Sequence, residues 1–326
     1  MEQLSLFKEV NPGIDIQDPV LKKRLEALTL PDGFRSFSRP SKTGHHEIGI
    51  ERDSHGRGGK PTLVALPGFC HGNWSYIKLI EALSGQRIEI SAPSPYGEAQ
   101  SNTLRKPIDE WKMADYVEPY THYINERKND VVLLGHSLGG LHAQLLAAQM
   151  RGAVKGLILV NSVKPSNLCH RLYPVAERDG VAFEPAKNLK WILEELFNGE
   201  FPEDIAWIIE HLNSSVGSNA VIDDYAGEHG FVDPQKITQP ILEFSGTEDR
   251  GETTGTHGML DSLRASELSG VIKGQRASIS HFFSTVGHCP FAKKIDIQGG
   301  SHNSLILGED VKAVADGIVE HYSMFY

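Results

Sequence analysis

The stretch Val131-Val-Leu-Leu-Gly135-His-Ser137-Leu-Gly139-Gly140 decides which fold this sequence predicts. Its first four residues are apolar, as in a strand that is buried on both faces of a parallel sheet. The residues that follow, from Leu141 to Met150, are mostly strong helix formers. A tight turn therefore joins a buried strand to a helix, and Ser137 lies in that turn.

The Gly-X-Ser-X-Gly pattern is typical of a nucleophilic serine when a strand precedes it and a helix follows it. So tight a turn requires a strained backbone at Ser137, and Gly135 and Gly139 leave the room that the turn needs. Gly140 allows the helix to lie close to the strands. The N-terminus of the helix directs free N–H groups at the site. We therefore predict that Ser137 is a nucleophile, the alternative being a chance occurrence of the pattern.

Two segments carry a resemblance to a known family. Gly135-His-Ser-Leu-Gly-Gly140 resembles the nucleophile elbow of the α/β-hydrolase superfamily. Pro67-Gly-Phe-Cys-His-Gly-Asn-Trp74 resembles the His-Gly-X-Cys-His-Gly-X-Trp loop of plant methylesterases and hydroxynitrile lyases. By position, the resemblance implies that the backbone N–H groups of Phe69 and Leu138 form an oxyanion hole.

The loop departs from that group of enzymes at two positions. Pro67 stands where the family usually has histidine, and Gly68 stands where the lyases have threonine. The glycine favours ester-type hydrolysis over lyase chemistry. Cys70 and His71 are candidate catalysts by residue type, but the resemblance implies that this loop contributes only backbone groups.

The resemblance also implies an acid and a base that follow the serine in the order Ser, Asp, His. Thr247-Glu-Asp-Arg-Gly251 follows a predicted strand and matches the family's Thr-Glu-Asp-Lys-Gly turn, so Asp249 is the predicted acid and Glu248 the alternative. His302 follows the last predicted strand and is the predicted general base. A few lipases place the acid after the sixth strand, but this chain has Asn161 there.

Composition limits the classes of partner. The 326-residue chain has a formal net charge of −10, which argues against binding to nucleic acid or to an anionic membrane surface. Its three cysteines have no CxxC spacing and are typical of free thiols. With no apolar leader and no long apolar run, we expect a soluble cytoplasmic protein, either a monomer or a homodimer.

We predict an α/β fold with a mostly parallel, doubly wound sheet and a helical cap inserted after the sixth strand. Residues 1–60 would add an N-terminal helix, in Pro19 to Leu28, and a pair of edge strands to the core. The hydrolase core would comprise residues 61–161 and 240–326. The cap would comprise residues 162–239, and 250–293 would be an extended segment of the second core part.

Two predicted helices of the cap have broad apolar faces, which would line a substrate pocket and exclude water. Trp191 and Trp207 on these faces are candidate substrate-binding residues, although they could equally pack the cap onto the core. His281, His288 and Cys289 lie in the 250–293 segment, and their spacing matches no metal-ligand pattern. We expect neither a metal nor a cofactor.

These features predict a cofactor-free serine hydrolase that cleaves an ester, thioester or related acyl bond of a small, partly apolar substrate through an acyl-enzyme. One alternative is a lyase or acyl-cyclising enzyme that uses the same triad as acid and base. A second alternative is a ligand-binding receptor on the same fold. The motifs specify the fold and the triad, but they do not specify the substrate.

Overall fold

The computed structural model describes residues 33–40, 46–52, 61–68, 73–93, 113–127, 129–162, 236–249 and 292–326. The predicted N-terminal helix, the cap between 163 and 235 and residues 250–291 lie outside these ranges. The predicted domain boundaries therefore remain predictions, as does the cap.

Eight strands form one sheet in the order β1-β2-β4-β3-β5-β6-β7-β8. β1 pairs with β2 and β2 with β4 in antiparallel fashion, and all the other neighbours are parallel. The mostly parallel sheet and its antiparallel edge pair confirm the predicted fold class. The strands are β1 Phe34–Pro40, β2 His46–Arg52, β3 Thr62–Leu66, β4 Ile90–Pro93, β5 Val131–His136, β6 Val154–Val160, β7 Ile241–Gly246 and β8 Ala292–Ile297.

The described helices are α1 Ile77–Leu83, α2 Met113–Glu126, α3 Leu138–Gln149, α4 Ser304–Leu307 and α5 Val311–His321, with 3-10 turns at Asn73–Tyr76 and Tyr322–Phe325. Side chains of α2 and α3 share one core cluster with alternate residues of the central strands. Side chains of α1, α4 and α5 share a second cluster with the other residues of those strands. Helices thus cover both faces, and the sheet is doubly wound, as predicted.

The central strands are apolar because both of their faces are covered. Every residue of β3, β5 and β7 is buried, and successive residues alternate between the two clusters: Leu133 belongs to one, Val132 and Leu134 to the other. A polar face would have no water to contact in such a sheet. The continuous apolar run in the sequence therefore correctly indicated a strand that is buried on both faces.

The sequence pattern predicts strands over Arg87–Ala92 and Lys294–Gly300. The start of the first and the end of the second were wrong, because side-chain and turn contacts end the strand pairing. The fourth strand begins at Ile90 and not at Arg87. Before it, the Arg52 guanidinium donates to the carbonyls of Ser84 and Gln86, at 2.7 and 2.5 Å. The last strand ends at Ile297 and not at Gly300, because the Gly300 N–H donates back to the Ile297 carbonyl at 3.2 Å and closes a turn.

The sequence predicts a helix over Ile108–Glu126 that Pro119 should kink or split. Pro119 does not split α2. The helix continues because its apolar face is anchored in the core: Val117, Tyr120, Tyr123 and Ile124 are all buried. Burial of such a face outweighs the loss of one backbone hydrogen bond. No helix within the described ranges is long and apolar enough to cross a bilayer.

Candidate active site

The turn between β5 and α3 holds Ser137 in an unusual conformation. Its φ is 52° and its ψ is −120°, a region that costs a non-glycine residue about 1–3 kcal/mol. The Ser137 N–H donates to the carbonyl of Val160 at 3.1 Å, and the Ser137 carbonyl accepts from the Gly140 N–H at 3.0 Å. The predicted strain at this serine is confirmed.

The three glycines of the turn lie at close approaches, two of them to backbone atoms and one to the side chain of Ser162. A Cβ atom at Gly135 would lie 2.3 Å from the carbonyl oxygen of Gly139, and one at Gly139 would lie 2.0 Å from that of Leu66. A Cβ atom at Gly140 would lie 2.0 Å from Oγ of Ser162, which follows β6. The predicted roles of these glycines, room for the turn and close packing of the helix, are both confirmed.

Asp249 and His302 form a buried pair after β7 and β8. The imidazole Nδ1 of His302 lies 3.0 Å from each carboxylate oxygen of Asp249. Asp249 is 1% exposed and His302 is 8% exposed. Because a carboxylate can only accept, Nδ1 carries the proton in this pair, and Nε2 is then free of a proton in the neutral ring. This is the tautomer that a general base requires.

The alternative acid, Glu248, is in a different position. Its side chain is exposed, whereas its backbone N–H donates to the carbonyl of Gly300 at 2.9 Å. Asp249 contacts the His302 ring through both of its carboxylate oxygens. The geometry therefore favours Asp249.

The turns that carry Asp249 and His302 are joined to each other by backbone contacts. The Thr247 N–H donates to the Ile297 carbonyl at 3.0 Å, and the Gly299 N–H donates to Oγ1 of Thr247 at 2.9 Å. A Cβ atom at Gly246 would lie 2.2 Å from the carbonyl oxygen of Gly300. These contacts tie the two turns to each other.

The oxyanion loop is described only in part. Phe69 lies outside the described residues, as do Cys70 and His71. Leu138 is the first residue of α3, where backbone N–H groups have no acceptor within the helix. A Cβ atom at Gly68 would lie 3.0 Å from Nδ1 of His136 and 3.1 Å from Cβ of Ser137, so this loop begins directly above the elbow.

The remaining candidates cannot be compared with the structure. Trp191 and Trp207 lie outside the described residues, as do His281, His288 and Cys289. Within the described part of the chain, no group of three or more His, Cys, Asp or Glu residues could hold a metal ion.

Comparison with known proteins agrees with the fold. The sequence model of the alpha/beta hydrolase family matches residues 63–296. The chain belongs to this family. A structure of a putative lipase from Acinetobacter baumannii AYE superimposes with a TM-score of 0.65 at 16% identity, covering 96% of this chain and 95% of that one, which shows the shared fold.

Three curated members of the family are similar in sequence. Putative esterase/lipase 2 of Mycoplasma pneumoniae is 42% identical over 20% of this chain and 23% of its own length. Methylesterase 7 of Arabidopsis thaliana is 27% identical over 32% of this chain and 40% of its own length. Salicylic acid-binding protein 2 of Nicotiana tabacum is 23% identical over 58% of this chain and 79% of its own length. The chain thus spans less than half the length of the first two relatives. The predicted resemblance to plant methylesterases is confirmed.

Sequence reasoning missed the role of Tyr76, because the pattern there predicts only a short helix over Tyr76–Leu83. This fully buried phenol donates to the carbonyl of Leu66 at 2.5 Å and accepts from the N–H of His136 at 3.2 Å. Burial raises its pKa well above the ordinary value, despite the opposing hydrogen bond from His136. Neutral Tyr76 therefore fastens the end of β3, before the oxyanion loop, to the end of β5, before the nucleophile.

Sequence reasoning also missed the contacts of Asn161, which it considered only as a position without an acid. Asn161 has a φ of 41°, a region that asparagine tolerates better than most residues. Its side-chain amide donates to the carbonyls of Ser301 and His302 and accepts from the N–H of Gly246. An asparagine directly after a buried strand was the available signal.

Proposed function

We propose that the chain is a cofactor-free serine hydrolase that cleaves an ester, thioester or related acyl bond. The observation that carries this proposal is the buried Asp249–His302 pair, with Nδ1 of the histidine 3.0 Å from both carboxylate oxygens. Asp249 follows β7, His302 follows β8, and the strained Ser137 follows β5, and these three strands run parallel in one sheet. Parallel strands bring their carboxyl ends to one edge.

In the proposed reaction, Nε2 of His302 takes the proton of the Ser137 hydroxyl as Oγ attacks the substrate carbonyl. Asp249 stabilises the imidazolium that forms. The backbone N–H groups of Phe69 and Leu138 would bind the oxyanion. His302 then donates its proton to the leaving group, and the acyl group stays on Ser137 as an ester.

Water completes the cycle. His302 removes a proton from a water molecule, the hydroxide oxygen attacks the acyl carbon, and the bond to Oγ of Ser137 breaks. The proton held by His302 returns to Oγ, and a free acid leaves. The named relatives include a methylesterase and a putative esterase/lipase, which supports an ester as the substrate class. We further propose that Trp191 and Trp207 line an apolar acyl pocket.

A fluorophosphonate probe tests the proposal without knowledge of the substrate. An activated serine displaces fluoride and forms a stable Oγ–phosphorus bond. We expect labelling of the wild type, no labelling of Ser137→Ala, and much slower labelling of Asp249→Asn and His302→Ala. Ser84→Ala, in a turn after α1, is the control and should label as the wild type does. Equal labelling of Ser137→Ala and the wild type would refute the proposal.

Incorporation of oxygen from water into the product distinguishes hydrolysis from the lyase and acyl-cyclising alternative. Once a turned-over substrate is found, hydrolysis in ¹⁸O-labelled water must place one labelled oxygen in the acid product. Gly68 supports hydrolysis, because a side chain there would begin 3.0–3.2 Å from His136 and Ser137 and occupy the space above the nucleophile. Turnover without incorporation of label would favour the alternative.

The receptor alternative has one observation in its favour, the match to a relative that is named for binding salicylic acid. It predicts tight binding of a small aromatic acid without turnover. Isothermal titration with salicylate, together with product analysis after long incubation, distinguishes it from hydrolysis. Fluorophosphonate labelling that depends on Ser137, Asp249 and His302 would count against it.

A further inference from the structure

The carbonyl of His302 receives two side-chain hydrogen bonds. Nε2 of His136 lies 2.8 Å from this oxygen, and Nδ2 of Asn161 lies 3.0 Å from it. A carbonyl oxygen can only accept, so His136 must carry a proton on Nε2. The rings of His136 and His302 also pack against each other, with centroids 4.8 Å apart and planes inclined by 49°.

The amide of Asn161 connects this carbonyl to the strand that carries the acid. Besides His302, it donates to the carbonyl of Ser301 at 3.0 Å. Its oxygen accepts from the N–H of Gly246, the last residue of β7, at 2.8 Å. The Asn161 N–H donates to the carbonyl of Phe244 in the same strand, at 2.9 Å. One side chain thus holds the turn before the base and the strand before the acid.

We propose that Asn161 and His136 are positioning residues that together form a base clamp, holding the backbone of His302 so that its ring stays aligned with Asp249 and Ser137. The inference deepens the proposed function and depends on it. Neither residue reacts: both act on the His302 carbonyl and leave the ring nitrogens to the acid and the nucleophile.

Burial makes the clamp effective. His136 is fully buried, Asn161 is 2% exposed and His302 is 8% exposed, so water cannot readily replace a lost donor, and the carbonyl would keep only one of its two hydrogen bonds. The turn would then shift to find another donor. A shift of about 1 Å in a reacting group can lower a rate about 100-fold.

Asparagine at position 161 suits both the backbone conformation and the hydrogen bonds that this position makes. Its φ of 41° excludes most residues, and its amide offers two donors and an acceptor on one planar group. Aspartate has the same shape but can only accept. It would keep the bond from Gly246 and turn a carboxylate oxygen towards the two carbonyls. Glycine would keep the backbone conformation and lose the amide.

These differences define the experiment. Saturation kinetics of fluorophosphonate labelling are measured for Asn161→Asp, Asn161→Gly, His136→Leu and His136→Gln, with Asn129→Asp, an exposed residue before β5, as the matched control. We expect the maximal labelling rate to fall about 100-fold in Asn161→Asp and His136→Leu. The half-saturating probe concentration should not change, because the clamp does not touch the probe. His136→Gln keeps a donor and should retain most of the rate.

A spectroscopic measurement separates positioning from general damage. The Nδ1 proton that His302 shares with Asp249 should give a far-downfield proton resonance in the wild type. Loss of this resonance in Asn161→Asp, with a melting temperature near that of the wild type, supports the clamp. Asn161→Gly and His136→Gln keep the test decisive if the harsher substitutions prevent folding.

The failure of this inference differs from the failure of the proposed function. Wild-type labelling rates and an unchanged resonance in Asn161→Gly and His136→Leu would overturn the clamp, while loss of labelling in Ser137→Ala would still support the hydrolase. An equal loss of rate in His136→Gln and His136→Leu would also overturn it. Labelling that persists in Ser137→Ala would overturn the proposed function itself.

Discussion

Two groups of buried polar side chains among the described residues find their partners in different ways. Beside β2 and β4, side chains bond to one another: the Tyr123 hydroxyl contacts Oγ of Ser91 and the Arg127 guanidinium, which lies 3.7 Å from Glu51. At the candidate site, Tyr76 and the base clamp bond to backbone groups at strand ends and in turns. We infer that bonds between side chains hold the antiparallel side of the sheet, whereas bonds to the backbone hold the proposed catalytic geometry.

The comparison predicts that the edge network affects stability alone and that the site contacts affect both stability and chemistry. The strained φ of Ser137 and the positive φ of Asn161 both occur in the second region. Strain of this kind persists only where surrounding contacts determine the backbone. The contacts that hold Ser137 and His302 should therefore be the ones on which activity depends.

Tyr76→Phe should have the largest effect on stability. It leaves two buried backbone groups, the Leu66 carbonyl and the His136 N–H, without the phenol, and each such loss costs about 1–3 kcal/mol. We expect the free energy of unfolding in urea to fall by about 3 kcal/mol, and labelling to slow because the elbow and the oxyanion loop lose their link. Tyr326→Phe, at a residue that is 61% exposed, is the matched control. Unchanged labelling would show that the link does not matter for chemistry.

Substitution of His142, in helix α3 directly after Ser137, tests whether a buried residue near the candidate site affects stability without affecting labelling. Burial lowers its pKa from the ordinary 6.5 to about 3. Between these values the unfolded chain binds a proton that the folded chain does not, so stability is lost as the pH falls from 6.5 towards 3.

For His142, a change from pH 7 to pH 5 should lower the free energy of unfolding by about 2 kcal/mol. The His142→Leu variant should lack this component, and His122→Leu, at a half-buried residue of α2, should retain it. Urea unfolding at the two pH values measures the difference. Identical pH dependence in His142→Leu and the wild type would contradict the assignment.

Tyr123→Phe should have the smallest effect of the three. It removes a hydroxyl that contacts Ser91 and Arg127 at the antiparallel edge, and a buried hydrogen bond of this kind contributes about 1 kcal/mol. We expect a loss of stability of that size in urea and a labelling rate equal to that of the wild type. A marked loss of labelling would remove the distinction between the two regions.

The sequence could predict the parts of the structure that depend on short, local patterns of residues. Apolar runs indicated the central strands, and the glycines around Ser137 indicated a close backbone approach that the structure confirms. The contact between Asp249 and His302 followed from a resemblance, because the turn motifs are short and distinctive. Their catalytic roles stay predictions until the labelling experiment is done.

The parts that sequence could not predict depend on contacts between distant segments. Tyr76 has the pattern of an ordinary helix residue, and only the convergence of β3 and β5 gives its hydroxyl two backbone partners. The side chain of Asn161 has its hydrogen-bond partners only because the fold places β7 and the turn after β8 beside it. Pro119 likewise remains in a continuous helix because the core holds the residues around it.

The order of strands in the sheet has a consequence for the newly synthesised chain. Ser137 follows β5, whereas the proposed acid and base follow β7 and β8, which are the last two described strands in sequence and neighbours at one end of the sheet. At roughly 5–20 residues per second, His302 leaves the ribosome on the order of ten seconds after Ser137. If His302 is the base, as we propose, the Ser137 hydroxyl would not be activated during that interval. Ribosome-stalled chains that end before β8 should accordingly resist the fluorophosphonate, and the nascent enzyme would become reactive only when its last strand joins the sheet.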